Sequence, residues 1–366
     1  MVKYGKVWLE NESMVINMER TNPFTIAFGR EPASLIKREK QLDQIKQAFL
    51  SDNPLTYTYV ITGIRGSGKT VLLTSTCSEF KKQDDWIVVE LNPDRDMLES
   101  LAAKLYENSN VKYKFLKKEL SFSFHGLSFS ISGENPVYDV ENLLEKILTV
   151  LKKHGKKVLI AIDEVSNNKE VRTFIHSFQI LNRQNLPIFL LMTGLYENVD
   201  RLKNDKSLTF LYRAPKIDLD PLDLFQVKNS YKKELEIEDD VAIKLARLTN
   251  GYAFAYQTLG YLVYENNCQF DDDLLVKYDE YLKIFAYDKI WSELSNIDQK
   301  VLKSLAKNGS GDVEIIYKEL NMKKSTFSSY RDKLIKNGVI QSNGWGFIAF
   351  VLPRFKEYID IRNLFE

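Results

Sequence analysis

The chain has 366 residues, 44% hydrophobic and 28% charged, with a formal net charge of +1. That length exceeds one usual domain and supplies core enough for two or three. So even a charge balance excludes a polybasic or polyacidic protein, and any nucleic-acid contact must come from a local patch.

Cys77 and Cys268 stand in no metal-ligand spacing, and His125, His154 and His176 form no cluster, which argues against a catalytic zinc site. No apolar run approaches the roughly 20 residues that a membrane span needs. The N-terminus, MVKYGKVWLENES, is charged and mixed rather than a signal segment, so a cytoplasmic protein is expected.

Residues 1–22 carry no clear period and read as an N-terminal arm. Between Pro32 and Leu50, Leu35, Ile36, Leu42, Ile45 and Phe49 recur at helical spacing behind Ser34, which predicts an amphipathic helix capped by that serine. Leu55 to Thr62 is β-branched and aromatic, as a buried strand should be. Gly63 to Thr70 then fits the phosphate-binding pattern G-x-x-x-x-G-K-[ST]. Gly63, Gly66 and Gly68 lack Cβ, so the backbone can turn its N–H groups onto a polyphosphate. Lys69 supplies a point charge for the β- and γ-phosphates, and Thr70 a hydroxyl for Mg²⁺. Arg65, Ser67 and Val71 complete the loop residues expected to meet a nucleotide, at the positive end of a helix that opens near Lys69.

A strand at Trp86 to Leu91 and a helix at Met97 to Tyr106 continue an α/β rhythm, which residues 112–133 interrupt. There Leu120, Phe122 and Phe124, then Leu127, Phe129 and Ile131, alternate with serines around His125-Gly126, a hairpin with one apolar face. That face either lies on its own domain or meets a partner or DNA. After a helix at Val140 to Lys152, the strand Lys157 to Ile162 ends in Asp163-Glu164. An apolar strand closing in two acids, 94 positions after Lys69, is the second motif of an ATPase. Asp163 would hold Mg²⁺ through water, and Glu164 would polarise the attacking water.

The strand Pro187 to Gly194 carries Thr193 at its end, in reach of a γ-phosphate or that water. Arg201 and Arg213 are the cations best placed to meet a γ-phosphate, across a subunit boundary. The phosphate-loop domain is thus read as 23–220, a parallel sheet with a hairpin insertion.

From Pro221 the pattern becomes all-helical, so 221–294 reads as a small lid, with one long helix over Asp272 to Leu294. Residues 295–366 read as a winged helix. Helices at Asp298–Lys307, Val313–Leu320 and Thr326–Lys336 have the spacing of a DNA reader, and strands around Asn343-Gly344 form the wing. Ser325 is the expected cap of the third helix, with Phe327, Tyr330 and Leu334 facing the core. Lys324, Arg331 and Lys333 are the expected phosphate contacts to double-stranded DNA. This segment holds 12 Lys/Arg against 8 Asp/Glu, a modest surplus for a DNA binder.

Phosphate loop, Asp-Glu after the third strand, polar strand-end Thr, helical lid and winged helix, in that order, resemble the AAA+ ATPases of the Orc-like initiator group. They look still closer to the archaeal-type ATPases and their bacterial relatives. The resemblance spans residues 24–366 and implies that Lys69, Thr70, Asp163 and Glu164 form the ATP and Mg²⁺ site, with Thr193 as a sensor. Leu211-Tyr212-Arg213-Ala214 resembles the stretch that carries an arginine in archaeal-type members, which favours Arg213. Ile36-Lys37-Arg38-Glu39 resembles the boxed segment near the adenine, so Ile36 joins the expected nucleotide contacts. One departure stands out: where Orc-like proteins keep a lid arginine, this chain reads Gly251-Tyr252-Ala253-Phe254, so the lid is expected to offer no evident cation to the γ-phosphate.

The function expected from these features is a slow ATPase that acts as a switch and associates with DNA through its winged helix. The alternative is a signalling or defence-type switch whose winged helix serves protein contacts and self-association, with the hairpin a further contact surface.

Overall fold

Residues 21–27, 32–108 and 136–365 are described by the structure, a computed structural model, with the side chains of 136–139 left aside. The hairpin expected at 112–133 and nearly all of the 1–22 arm lie outside the described residues.

Five short apolar runs become the parallel strands β1 (Thr58–Thr62), β2 (Trp86–Leu91), β3 (Lys157–Ile162), β4 (Ile188–Gly194) and β5 (Lys216–Asp218). Their order is β2-β3-β4-β1-β5, so β4 lies between the strand that leads into the phosphate loop and the strand that ends at the paired acids. Parallel strands need crossovers, and helices therefore cover both faces. On one face lie α1 (Glu39–Leu50) and α2 (Lys69–Lys81). On the other lie α3 (Met97–Glu107), α4 (Pro136–Lys153) and α5 (Lys169–Arg183). Along β3, Val158, Ile160 and Ile162 enter one core, while Leu159 and Ala161 enter the other. Burial on both sides is why these strands read as continuous apolar runs rather than alternating ones. The helix α6 (Tyr196–Lys203) and a 3₁₀ turn at Thr209–Arg213 lead into β5.

Two expectations near the N-terminus are corrected. The first helix starts at Glu39 rather than near Pro32, and Ser34 does not cap it. Ser34 is buried instead, its hydroxyl 2.6 Å from the Tyr256 hydroxyl and its carbonyl accepting from Gln257 Nε2 at 2.8 Å. Long-range hydrogen bonds to the lid thus hold this stretch extended against its helical period. The first strand likewise starts at Thr58, and Leu55 is fully exposed.

Past the sheet the chain is helical: α7 (Leu224–Leu235), α8 (Asp239–Thr249), α9 (Ala253–Glu265), α10 (Asp272–Leu282) and α11 (Asp288–Glu293). The single helix expected over Asp272 to Leu294 runs on to Glu293 through a π-helical turn at Lys283–Tyr287. The last segment holds α12 (Asn296–Asn308), α13 (Val313–Glu319), α14 (Lys324–Lys336), the antiparallel pair β6 (Ile340–Ser342) and β7 (Ile348–Phe350), and α15 (Phe355–Phe365). Three helices followed by a two-stranded wing is a winged helix. Ser325 lies inside α14, whose N-cap is Lys323, without a side-chain cap bond. Phe327 and Leu334 are buried as expected, and Tyr330 is half-buried.

Lid and winged helix share one continuous core, from Phe24 through Tyr231, Tyr256 and Trp291 to Phe327 and Ile359. Tyr287 and Trp291 of the lid pack edge-on against Phe355 and Tyr358 of α15, with ring centroids 4.9 to 6.3 Å apart. Arg354, in the turn before α15, adds a two-pronged ion pair to Asp279 of α10 at 2.6 and 2.8 Å.

Candidate functional site

The loop between β1 and α2 has the backbone its glycines permit. Gly66 and Gly68 take φ values of 72° and 93°, open to glycine and strained for other residues. Lys69 is buried at the first turn of α2 and donates from Nζ to the carbonyls of Gly63 and Ile64, both at 3.0 Å. Burial lowers its pKa to about 8, against the opposing pull of Asp163 and Glu164. The Ser67 hydroxyl is buried with no hydrogen-bond partner, an orphaned polar atom at a helix N-terminus, where anions are favoured.

The ends of β3 and β4 add Asp163, Glu164 and Thr193. Ile162 of β3 pairs with Met192, so the next residue on each strand, Asp163 and Thr193, meet at the strand ends. Asp163 Oδ1 accepts from the Thr193 hydroxyl and, at 3.1 Å, from the Glu164 N–H. Its Oδ2 accepts from the Thr70 hydroxyl at 2.8 Å. A carboxylate and a hydroxyl so placed are oxygen donors of the kind Mg²⁺ takes while keeping several waters. Among the described residues no group of three or more His, Cys, Asp or Glu side chains is placed to hold a metal by itself. Glu164 sits in the left-handed region, φ 54°, which turns its exposed carboxylate out over the loop.

The lid closes the site from above. The Phe254 N–H donates to the Gly66 carbonyl at 3.0 Å, and the Tyr252 hydroxyl donates to the Arg65 carbonyl at 2.7 Å. Arg65 reaches the lid by its side chain too, holding both carboxylate oxygens of Glu293 at 2.7 to 3.2 Å. Between loop and lid lies a cavity of about 540 Å³, within the range of small-ligand sites. Ile36 and Leu42 line one end, Gly66 to Val71 and Glu164 its floor, and Phe254, Gln257, Phe285 and Lys289 its lid side.

The structure thus brings together Ile36, Arg65 to Val71 and Glu164 in one cavity, with Asp163 and Thr193 hydrogen-bonded beneath them. Gly63 stands just outside, at the foot of the loop, where it accepts from Lys69. Arg213 is exposed and does not line the cavity, and Arg201 is paired with Glu197 on its own helix.

The lid keeps no arginine at the start of α9, but Lys289 of α11, just past the π-helical turn, lines the cavity. No motif marks it. A second cation the sequence left unassigned is Arg38, whose Nη2 donates to the Ser67 carbonyl at 3.1 Å.

The expected DNA contacts fare unevenly. Lys324 is exposed at the start of α14, while Arg331 pairs with Asp332 at 2.8 Å. Lys333 is corrected: it bonds the fully buried Asp298 at 2.7 Å, because the carboxylate needs a cation there. Lys336 is bound to Asp200 of α6, tying α14 to the sheet domain.

This sheet order, loop and lid define an AAA+ type P-loop ATPase fold. Residues 35–186 match the family described as "ATPase domain predominantly from Archaea". Residues 286–359 match a domain of unknown function (DUF8462). Among solved structures, the Walker-type ATPase paby2304 of Pyrococcus abyssi is similar at 14% identity and a TM-score of 0.63, over 89% of this chain and 96% of that one. The ORC2 protein of Aeropyrum pernix, solved in ADPNP–ADP complexes, is similar at 12% identity and a TM-score of 0.57, over 93% of this chain and 98% of that one. At such identities the likeness establishes the fold alone. No curated protein matches the chain. Among the described residues no helix is long and apolar enough to cross a membrane.

Proposed function

We propose that this protein is an ATP-binding, ATP-hydrolysing switch whose nucleotide state is passed through the lid to a DNA-associated winged helix. The observation that carries the reading is the joined set Lys69, Thr70, Asp163, Glu164 and Thr193 under a lid that bonds the loop backbone. In this reading Lys69 exchanges the Gly63 and Ile64 carbonyls for the β- and γ-phosphates, joined by loop N–H groups and the Ser67 hydroxyl. Thr70 and Asp163 would hold Mg²⁺, which when bound neutralises charge on the phosphates. Thr193 keeps the Asp163 carboxylate oriented. Glu164 takes the proton side of the attacking water, whose oxygen bonds the γ-phosphorus as the bond to the ADP oxygen breaks. Arg213, exposed outside its own cavity, serves a neighbouring subunit's site.

The test is phosphate release by the full chain, with and without DNA, for wild type and Glu164→Gln. Wild type turns over slowly, and the variant loses about 100-fold or more while still binding nucleotide. No turnover in wild type under either condition overturns the hydrolytic reading.

A second reading of the winged helix rests on its own observation. Arg331, Lys333 and Lys336 are all engaged in ion pairs, while Trp345 at the wing tip is fully exposed beside a partly exposed Phe347. A wing that offers aromatics and few free cations suits protein contacts or self-association better than phosphate binding.

A further inference from the structure

The side chain of Arg65 leaves the phosphate loop for the last lid helix, where Nε and Nη2 grip both oxygens of Glu293. Lys289 Nζ lies 3.5 Å from the same carboxylate, so two cations that line the nucleotide cavity are held by one lid acid. On its other side, Arg65 Nη1 lies 4.0 Å from Glu164 Oε1. If Glu164 faces the attacking water, Arg65 stands at the terminal-phosphate end of the cavity. A carboxylate gripped along the Nε–Nη2 edge of a guanidinium and flanked by an ammonium takes up donors that a phosphoryl group could use.

We infer that Glu293 occupies, in the nucleotide-free protein, the anion position that a terminal phosphate takes on Arg65 and Lys289, so that a triphosphate displaces it and a diphosphate does not. This inference rests on the nucleotide site proposed above. It makes Glu293 and Lys289 the residues that set triphosphate against diphosphate preference, in a lid whose α9 start carries no arginine. Displacement has a route onward. Glu293 ends α11, and Ser295, two residues later, opens the capping box of α12, the first helix of the winged helix. Glu293 also lines a small cleft with Tyr196, Asn337 and Val339, so its release loosens the seam between the sheet domain and α14. Ile290 and Trp291, in the core shared with the winged helix, carry the shift as a packed unit rather than a free hinge.

The experiment titrates the full chain, with Mg²⁺, against ADP and against a β,γ-imido ATP analogue by calorimetry. Wild type, Glu293→Gln, Lys289→Ala and Lys69→Ala are compared. Glu293→Gln keeps the shape but surrenders the charge, and should bind the analogue about tenfold tighter, the effect of one charge-assisted contact, with ADP changed less than twofold. Lys289→Ala should weaken the analogue selectively. Hydrogen exchange over 288–300 should rise when the analogue binds wild type, and should already be raised in nucleotide-free Glu293→Gln. Equal tightening of both nucleotides, or none, in a Glu293→Gln protein whose binding still depends on Lys69 overturns the displacement and leaves the site standing. Binding of neither nucleotide by wild type, or binding indifferent to Lys69→Ala, overturns the site and the displacement together.

Discussion

Lys69 shows how one side chain can be both committed and available. Its ammonium is buried against two loop carbonyls, and that burial brings its pKa down to about 8. A bound polyphosphate would favour the charged form and raise the pKa again. The sign follows directly: below about pH 8 the free protein already carries the charge, and above it a proton must be taken up on binding. Nucleotide affinity should therefore be flat from pH 6.5 to 7.5 and fall by up to about tenfold per unit above pH 8. Calorimetry at pH 9 in buffers of different ionisation heat should register proton uptake, which Lys69→Ala abolishes. Uptake that survives the substitution would assign the proton elsewhere. Asp163 depends on neighbours in another way, taking hydroxyl bonds from Thr70 and Thr193 and the N–H of Glu164, partners drawn from three elements.

At the scale of elements, the contact between loop and lid matters most. Gly66 is needed for two reasons: its φ is positive, and a Cβ there would lie 2.3 Å from the Tyr252 hydroxyl and 2.9 Å from Phe254 Cβ. Gly66→Ala should push the lid off and break the Tyr252 and Phe254 hydrogen bonds to the loop. Thermal unfolding should report a loss of about 2–4 kcal/mol, combining left-handed strain with two lost bonds. Gly155→Ala is the control, since φ is 66° there but nothing lies within 4 Å of the added carbon. It should cost only the strain, about 1–2 kcal/mol. Equal losses at the two sites would mean the lid yields freely at Gly66. The π-helical turn belongs to this scale as well, because it lies between α10 and α11 and sets Phe285 and Lys289 on the cavity side.

In the molecule as a whole, lid and winged helix form one packed body joined to the sheet by the loop contacts, the Arg65–Glu293 pair and the Lys336–Asp200 pair. The two readings of the winged helix separate here. If α14 meets DNA, affinity should fall steeply with salt, and Lys324→Ala should reduce the slope by about one phosphate contact without changing stability. Lys333→Ala should act differently, costing about 1–3 kcal/mol of stability because it strips the buried Asp298 of its cation. Binding that is absent or flat in salt would favour protein contacts through the exposed wing around Trp345.

The phosphate loop, the paired acids and the α/β rhythm were readable because their chemistry is local: contiguous residues on a strand, a loop and a helix, in an order that alone brings them together. The wing could be read for the same reason, from Asn343-Gly344 between two short apolar runs. Ser34 misled because it has the local chemistry of a cap, while its bonds to the distant lid hold it out of the helix. Lys289 and the Glu293 contact carry no local signature. Their roles exist only where segments more than 200 residues apart in the chain, such as Arg65 and Glu293, converge on one cavity. Sequence by itself marked which residue types, in which local order, suit a phosphate. Tertiary structure decided which cations are free to meet one, because each charged side chain takes whatever partner the packing of remote elements sets beside it.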